Sequence, residues 1–388
     1  MYVREPGSPS SLDERRLDSP LSIVSATRRI VAADVEWLNE LRTRTGGSWS
    51  HIASAKLEAS LARGRIEAIL AARRLPSAGE GGDASVVVFG SLARDEFLQG
   101  SDLDWTLLID GRTMTEQRRI TSELAREFEL AGFGKPGRTG IFGHMASSHD
   151  LVHHIGGDAD TNKNTTRRVL LLLESQAIGD RDAHERTIRA ILDRYVEDDA
   201  GFVSAEGSPF KVPRFLLNDI VRFWRTMAVD YAAKRAERAD DRWALRNAKL
   251  RMSRKLLFVA GLLLCFSVEL HPSEDIAEPA TEPEQYRRSL VSHLLRFVGV
   301  PPLELLAQTL ALQERVETVR LIFDSYDEFL SIIESQRDHL SSLPPLASRA
   351  DVTFGRIREI SHAFQRGLSQ LFFEREDLRD LVHKYGVF

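Results

Sequence analysis

A single cysteine in 388 residues, Cys265, excludes any disulfide within the chain, and a lone thiol inside an apolar stretch reads as a core residue. Thiolate-built zinc centres are excluded with it. No positively charged, then apolar, signal segment opens the chain. The longest apolar run, Leu256 to Val268, falls short of the roughly 20 residues that a membrane span requires, so it is expected as a buried helix. A reducing cytoplasm is the expected compartment, and the chain is not expected to be a membrane protein. Basic excess is lacking too: 52 Lys and Arg stand against 57 Asp and Glu, a formal net charge of −5. A general nucleic-acid binder needs a basic face that releases counterions, so no bulk template is expected and a polynucleotide partner would be a short product.

What is present is concentrated between Val86 and Asp110. Val86 to Phe89 is a β-branched, apolar run of buried-strand type, and Gly90-Ser91 breaks it. Leu92 to Phe97 leaves room for about two helical turns at most, and Gly100-Ser101 turns the chain into a second strand. On that strand Asp102 and Asp104 leave the same face, while Leu103 and Trp105 point into packing. Two carboxylates held together repel one another unless a cation lies between them. The fitting ion is hard and divalent, Mg²⁺ or Mn²⁺, which takes oxygen ligands and keeps positions open for phosphate oxygens. Gly90 allows close backbone approach, and the amides of Ser91 and Leu92 open a helix whose positive end suits a phosphate. Glu96 is expected to brace the Gly-Ser turn. Arg94 is open between phosphate contact and brace.

Strand, Gly-Ser, Arg-x-Glu, Ser-Asp-x-Asp and a second apolar strand together resemble the signature of the DNA polymerase beta superfamily of nucleotidyltransferases. The resemblance implies an α+β fold, a mixed sheet flanked by helices. It also implies in-line attack of a hydroxyl on the α-phosphorus of a nucleoside triphosphate. It further implies a third carboxylate from a later strand, for which Asp150, at the head of an apolar run within an expected strand over Met145 to Ile155, is the candidate. Asp158 and Asp160 are the alternatives, and a third acid could also be absent. With Asp102, Asp104 and Asp150 as ligands, two Mg²⁺ or Mn²⁺ ions are expected. His149, His153 and His154 are read as substrate contacts or simple strand residues.

Around this core, residues 1–25 are expected to be a mobile leader, 26–80 an N-terminal helical segment interrupted at Gly46-Gly47, 81–160 the catalytic core and 161–388 a large C-terminal α-helical domain. The apolar face of the N-terminal segment is expected to use Ile52, Leu57, Leu61 and Ile66 to Leu70, and Pro76 to Asp83 to link it to the sheet. Thr115 to Leu130 reads as an amphipathic helix, and Gly132 to Gly143 as a glycine-rich loop. Lys163, Arg167 and Arg168 lie near a helix start, where they suit a phosphate or are merely solvated. Arg242, Arg246, Lys249, Arg251, Arg254 and Lys255 crowd one short segment of an acidic chain. A phosphate-binding role is read for Arg246 and Lys249 against that contrast, with a solvated basic face as the alternative.

Pro136-Gly137, His144 to Ser147 and Asn164 to Asp180 are similar to the stretch that follows the catalytic hairpin in PII-protein uridylyltransferases and their CBS-associated relatives. The chain departs from them in having no phosphohydrolase, ACT or CBS module. Leu381 to Phe388 resembles the end of the nucleotidyltransferases of Hailong anti-phage defence systems. That resemblance implies polymerisation of deoxy-ATP into single-stranded DNA oligomers from a priming hydroxyl on Tyr385, with a membrane effector regulated by the product. Transfer of one nucleotide (AMP or UMP) to a protein or small molecule, and cyclic-oligonucleotide synthesis, are the competing activities. The plain alternative for Tyr385 and Phe388 is packing of the last helix.

Overall fold

The computed structural model describes residues 36–73, 83–112, 115–137, 141–199, 211–237, 242–272, 276, 283–311 and 315–386. The expected leader, most of the expected linker and Phe388 lie outside them. The N-terminal helices are α1 (Trp37–Thr45) and α2 (Ser50–Arg73), separated where Gly46 takes φ +67°. Leu57 and Leu61, expected in the core, are 61% and 55% exposed, and the buried face is made by Ile52, Ala55, Ala59, Ala62, Ile66 and Leu70. Small alanines let α2 lie close against the sheet, which a search for large apolar residues overlooks.

The sheet contains β1 (Ala84–Phe89), β2 (Trp105–Ile109), β3 (Met145–Ser147) and β4 (Ser175–Ile178), in the order β3-β2-β1-β4. β1 runs antiparallel to both β2 and β4, with Val88 opposite Trp105 and Phe89 opposite Ser175. β2 and β3 are parallel, with Ile109 beside Ser147. Both faces are buried, and the period-2 alternation sorts them. Val86, Val88, Trp105, Leu107 and Ile109 meet α2 and α4 (Thr115–Leu130), where Phe128 packs edge-on to Trp105 at 5.1 Å. Val87, Phe89 and Leu108 face the helical body on the other side. Carried back along β2, the same alternation turns Asp102 and Asp104 toward that helical body.

β4 lies beyond residue 160, so the sheet takes a strand from the region expected to be wholly helical. β3 is likewise shorter than expected: after Ser147 the chain enters α5 (Ser148–Val152). The remaining helices are α6 (Asn162–Leu173), α7 (Asp182–Asp199), α8 (Arg214–Glu237), α9 (Trp243–Arg251), α10 (Ser253–Leu270), α11 (Pro283–Leu295), α12 (Pro302–Ala311), α13 (Val316–Ser335), α14 (Arg337–Ser342), α15 (Val352–Glu374) and α16 (Glu376–Gly386). α10, which contains the long apolar run, is the buried axis of this body, and Cys265 on it is fully buried. Gly261 lets α8 cross it closely, since a Cβ there would stand 2.8 Å from Ile220. Among the described residues no helix is long and apolar enough to cross a membrane.

Candidate active site

At the end of β1 the chain turns through Gly90, whose φ of +66° is left-handed. A side chain there would also collide with the acid pair, because a Cβ on Gly90 would lie 3.0 Å from Asp104 Oδ2. Only one helical turn, α3 (Gly90–Ala93), follows. The Phe89 amide donates to the Asp104 carbonyl at 2.8 Å, which locks the turn against the entry to β2. On the other side, the glycine-rich loop wraps the pair. Asp102 bridges to Gly134, the Leu103 amide donates to the Gly134 carbonyl at 2.9 Å, and the Gly137 amide reaches Asp104 Oδ1 at 3.4 Å. Asp102 is exposed and Asp104 partly buried.

The turn is braced from below. Arg94 Nε and Nη2 donate to Glu96 Oε2 at 3.0 and 2.9 Å, and Nη1 donates to Glu174, the residue just before β4. Glu96 Oε1 accepts the Tyr326 hydroxyl of α13 at 2.9 Å. All four side chains are buried. Arg94 therefore spends its donors on carboxylates, and its assignment to nucleotide binding is corrected: it is a brace, as expected of Glu96. From α2, Arg63 donates to the Leu92 carbonyl at 2.8 Å and to Asp95 at 2.7 Å, holding Asp95 at φ +61°.

Cations from the helical body close over the acids. Burial raises the Asp104 carboxyl to about 6, opposed by the Arg254 charge and the Gly137 amide and reinforced by Glu174 and Asp102. Arg254, at the start of α10, stands 3.9 Å from Glu174 Oε1. Lys249 on α9 is brought down to about 8, first by burial, then by repulsion from Arg337 and Arg254, with Asp102 pulling the other way. Arg337, at the break between α13 and α14, donates to Ser101 Oγ at 3.4 Å, and its Nε is buried without a hydrogen-bond partner. Arg254 and Arg337 thus both crowd Lys249 beside Asp102 and Asp104, an arrangement that a polyanion relieves.

The other expected site residues sit on α5, α6, α9 and α16. Asp150 is on α5 rather than on a strand, beyond the C-terminal end of β3, whereas Asp104 precedes the N-terminal end of parallel β2; the two ends are separated by ~16 Å of strand. The carboxylate that joins Asp104 is Glu174 instead. Of the alternatives to Asp150, Asp160 is bound to Arg168 at 2.8 Å, inside a buried knot that includes Asp219 and Tyr195. Arg168 is accordingly neither a solvated charge nor a phosphate ligand. Arg167 donates to the Ile141 carbonyl at 2.9 and 3.2 Å and tethers the glycine-rich loop. Lys163 is exposed in the first turn of α6, ~16 Å of helix from Glu174. Arg246 is partly buried, with its Nε lacking a hydrogen-bond partner. Tyr385 is partly buried on α16, packed on the main core with the Lys384 ammonium 5.1 Å from its ring. α16 begins just after Arg375, whose charge acts on His271 at the C-terminal end of α10. Arg254 stands at the other end of that helix, ~25 Å away.

Glu174, Arg254 and Arg337 are the site residues that the sequence reading did not single out. A lone acid closing the leucine run 170–173 is the signal that Glu174 offered. Arg254 was hidden among other basic residues, and Arg337 sits in an ordinary helical pattern.

The fold and the acid pair define a polymerase-beta-like α+β core flanked by helices. Comparison with known families agrees: residues 70–132 match the nucleotidyltransferase domain family, a stretch that contains β1, the Gly90 turn, both acids and α4. No curated protein matches the chain. The domain match supports nucleotidyl transfer as the general activity and a nucleoside triphosphate as substrate. The donor set fits a hard divalent metal, since the Asp102 and Asp104 carboxylates share one face and Gly90 leaves open the space in front of Asp104.

Proposed function

We propose that this site transfers the nucleotidyl group of a nucleoside triphosphate to a hydroxyl, forming a bond from the acceptor oxygen to the α-phosphorus and releasing pyrophosphate. The observation that carries the proposal is the position of the acid pair, with Asp104 against a side-chain-free Gly90 and facing the Arg254 charge, and Asp102 facing the Lys249 charge. Asp102 and Asp104 would hold Mg²⁺ or Mn²⁺, and Glu174, bound to Arg94, acts on Asp104 only through its charge. When bound, the metal lowers the pKa of the attacking hydroxyl and neutralises charge on the triphosphate. Gly90 and Ser91 present backbone to the β- and γ-phosphates, and Lys249, Arg254 and Arg337 offset the charge that develops on the departing pyrophosphate. Arg94, Glu96, Glu174 and Tyr326 keep the turn in register without touching substrate.

For the acceptor, the likeness of residues 381–388 to the Hailong enzymes supports the Tyr385 hydroxyl, with deoxy-ATP as the nucleotide, a single-stranded DNA oligomer as the product and a membrane effector as its receiver in anti-phage defence. This reading requires the Tyr385 hydroxyl to reach Asp104, in its own chain or in a second copy. Incubating the full chain with each triphosphate radiolabelled at the α-phosphate, in Mg²⁺ or Mn²⁺, tests both levels. Nucleotidyl transfer requires pyrophosphate release that is lost in the D102N/D104N double variant. Tyrosine priming requires label on the polypeptide that Y385F abolishes while extension of a supplied primer continues. Free single-nucleotide adducts or exonuclease-resistant products would reject the priming reading and leave the transfer reading intact.

A further inference from the structure

The short helix α5 and the turn after it hold a cluster that the transfer reaction does not use. His149, Asp150 and His154 each offer one ligand atom, and these atoms all lie within 4.8 Å of one another. His149 Nδ1 is 3.8 Å from Asp150 Oδ1, and its ring is 5.6 Å from that of His154 and 4.7 Å from that of His153. His154 Nδ1 is buried and has no hydrogen-bond partner among the described residues, which is a cost unless something else satisfies it. The cluster forms because α5 ends at Val152, so the following turn brings residue 154 back over residues 149 and 150.

We propose that His149, Asp150 and His154 form a second cation site, separate from the acid pair, for a borderline divalent transition metal of the zinc, cobalt or nickel kind. Two imidazoles and one carboxylate suit such ions, whereas Mg²⁺ prefers an all-oxygen shell of the kind Asp102 and Asp104 present. Metal–ligand bonds of about 2.0–2.2 Å require the donors to draw together by roughly an ångström. The exposed side chains of His149 and Asp150 allow this by torsion alone. Three protein ligands leave positions for water, so the ion is exchangeable. The Arg167 charge acts on Asp150 and opposes a bound cation, which places the burden of affinity on the two imidazoles. A metal here ties α5 to its following turn. α5 also supplies the Leu151 carbonyl to Arg168 at 3.4 Å, so the ion would stiffen the edge of the buried Arg168 knot.

The test uses the full chain, freed of metal and then titrated with zinc in the presence of excess Mg²⁺, with the thermal midpoint as readout and visible absorption of bound cobalt(II) as a second. The expected result is a midpoint rise of a few degrees, saturating with one equivalent, and a cobalt spectrum showing nitrogen ligation. Both should disappear in H149A/H154A, whose fold is checked by circular dichroism, and both should persist in D102N/D104N. Absence of a zinc effect in the parent chain, its survival in H149A/H154A or its loss in D102N/D104N would each overturn the proposal.

Discussion

Two arginines are buried in this chain in nearly the same company, and they do different things. Arg94 is held by Glu96 and Glu174, with Tyr326 on the far side of Glu96; Arg168 is held by Asp160 and Asp219, with Tyr195 donating to Asp219 at 2.5 Å. Burial alone would lower both guanidinium pKa values, and in both knots the carboxylates outweigh it and raise them. The difference lies in what surrounds them. Above the Arg94 knot stand the two acids and Lys249, repelled by both Arg254 and Arg337, while the Arg168 knot joins the turn at Asp160 to α7 and α8 inside the helical body. A buried arginine with its donors consumed is therefore a strut wherever it occurs. What marks the candidate site is crowded cations: Lys249 pressed by Arg337 and Arg254, and Arg337 with an Nε that has no hydrogen-bond partner among the described residues.

The largest effect expected from this contrast is loss of turnover without loss of fold. D102N/D104N should drive nucleotidyl transfer below detection while the thermal midpoint in metal-free buffer stays level or rises. The sign follows from Asp104: its carboxyl is raised to about 6, so the native state favours the protonated form, and the stability contributed by this group is lost as pH climbs from about 4 through 6. A neutral amide avoids that loss at pH 7.5. A large fall in the midpoint would show that the pair is structural.

Next come the two struts, which separate stability from activity. Removing one partner of a buried ion pair leaves uncompensated charge and costs about 3–5 kcal/mol, so R94M and R168M should destabilise the chain to a similar degree in chemical denaturation. Their folded molecules should differ in activity. R94M releases the Gly90 turn and should lose activity per folded molecule, whereas R168M should keep it. Equal activity per folded molecule in the two variants would erase the distinction between the knots.

The same contrast explains what the sequence discloses. The β1-turn-β2 hairpin and the helix Thr115–Leu130 are legible because their apolar periods are unbroken and glycine marks their ends. β4 is hidden because its four residues follow α6 after Glu174 alone, so a leucine run and a strand read as one helix. Asp150 misleads for the converse reason: Leu151 and Val152 continue an apolar pattern that three residues of strand and one short helix share. Arg94 is undecidable from sequence, since a guanidinium two residues from Glu96 suits a brace and a phosphate equally. The deciding partner, Glu174, is 80 positions away. Arg337 carries no local signal at all, because its meaning comes from contact with Ser101 across 236 positions.

The smallest effect is the sharpest probe of the crowded cations. Lys249 is lowered to about 8 by burial and by its cationic neighbours, so above that pH its native ammonium is lost while the unfolded chain still holds the proton. Two opposite trends follow from this one group. Between about 8 and 10.5 the unfolded state binds more protons than the native state, so the contribution of Lys249 to stability rises with pH. Nucleotide binding moves the other way, because a triphosphate requires the charged form. If only the ammonium binds, KM for the triphosphate should rise roughly fivefold between pH 8 and pH 9 with kcat little changed. K249R stays charged throughout this range and should flatten the KM profile, at the cost of more crowding against Arg254 and Arg337 and hence a lower thermal midpoint. A KM that climbs with pH equally in both proteins would move the titration to another group and remove Lys249 from the phosphate site.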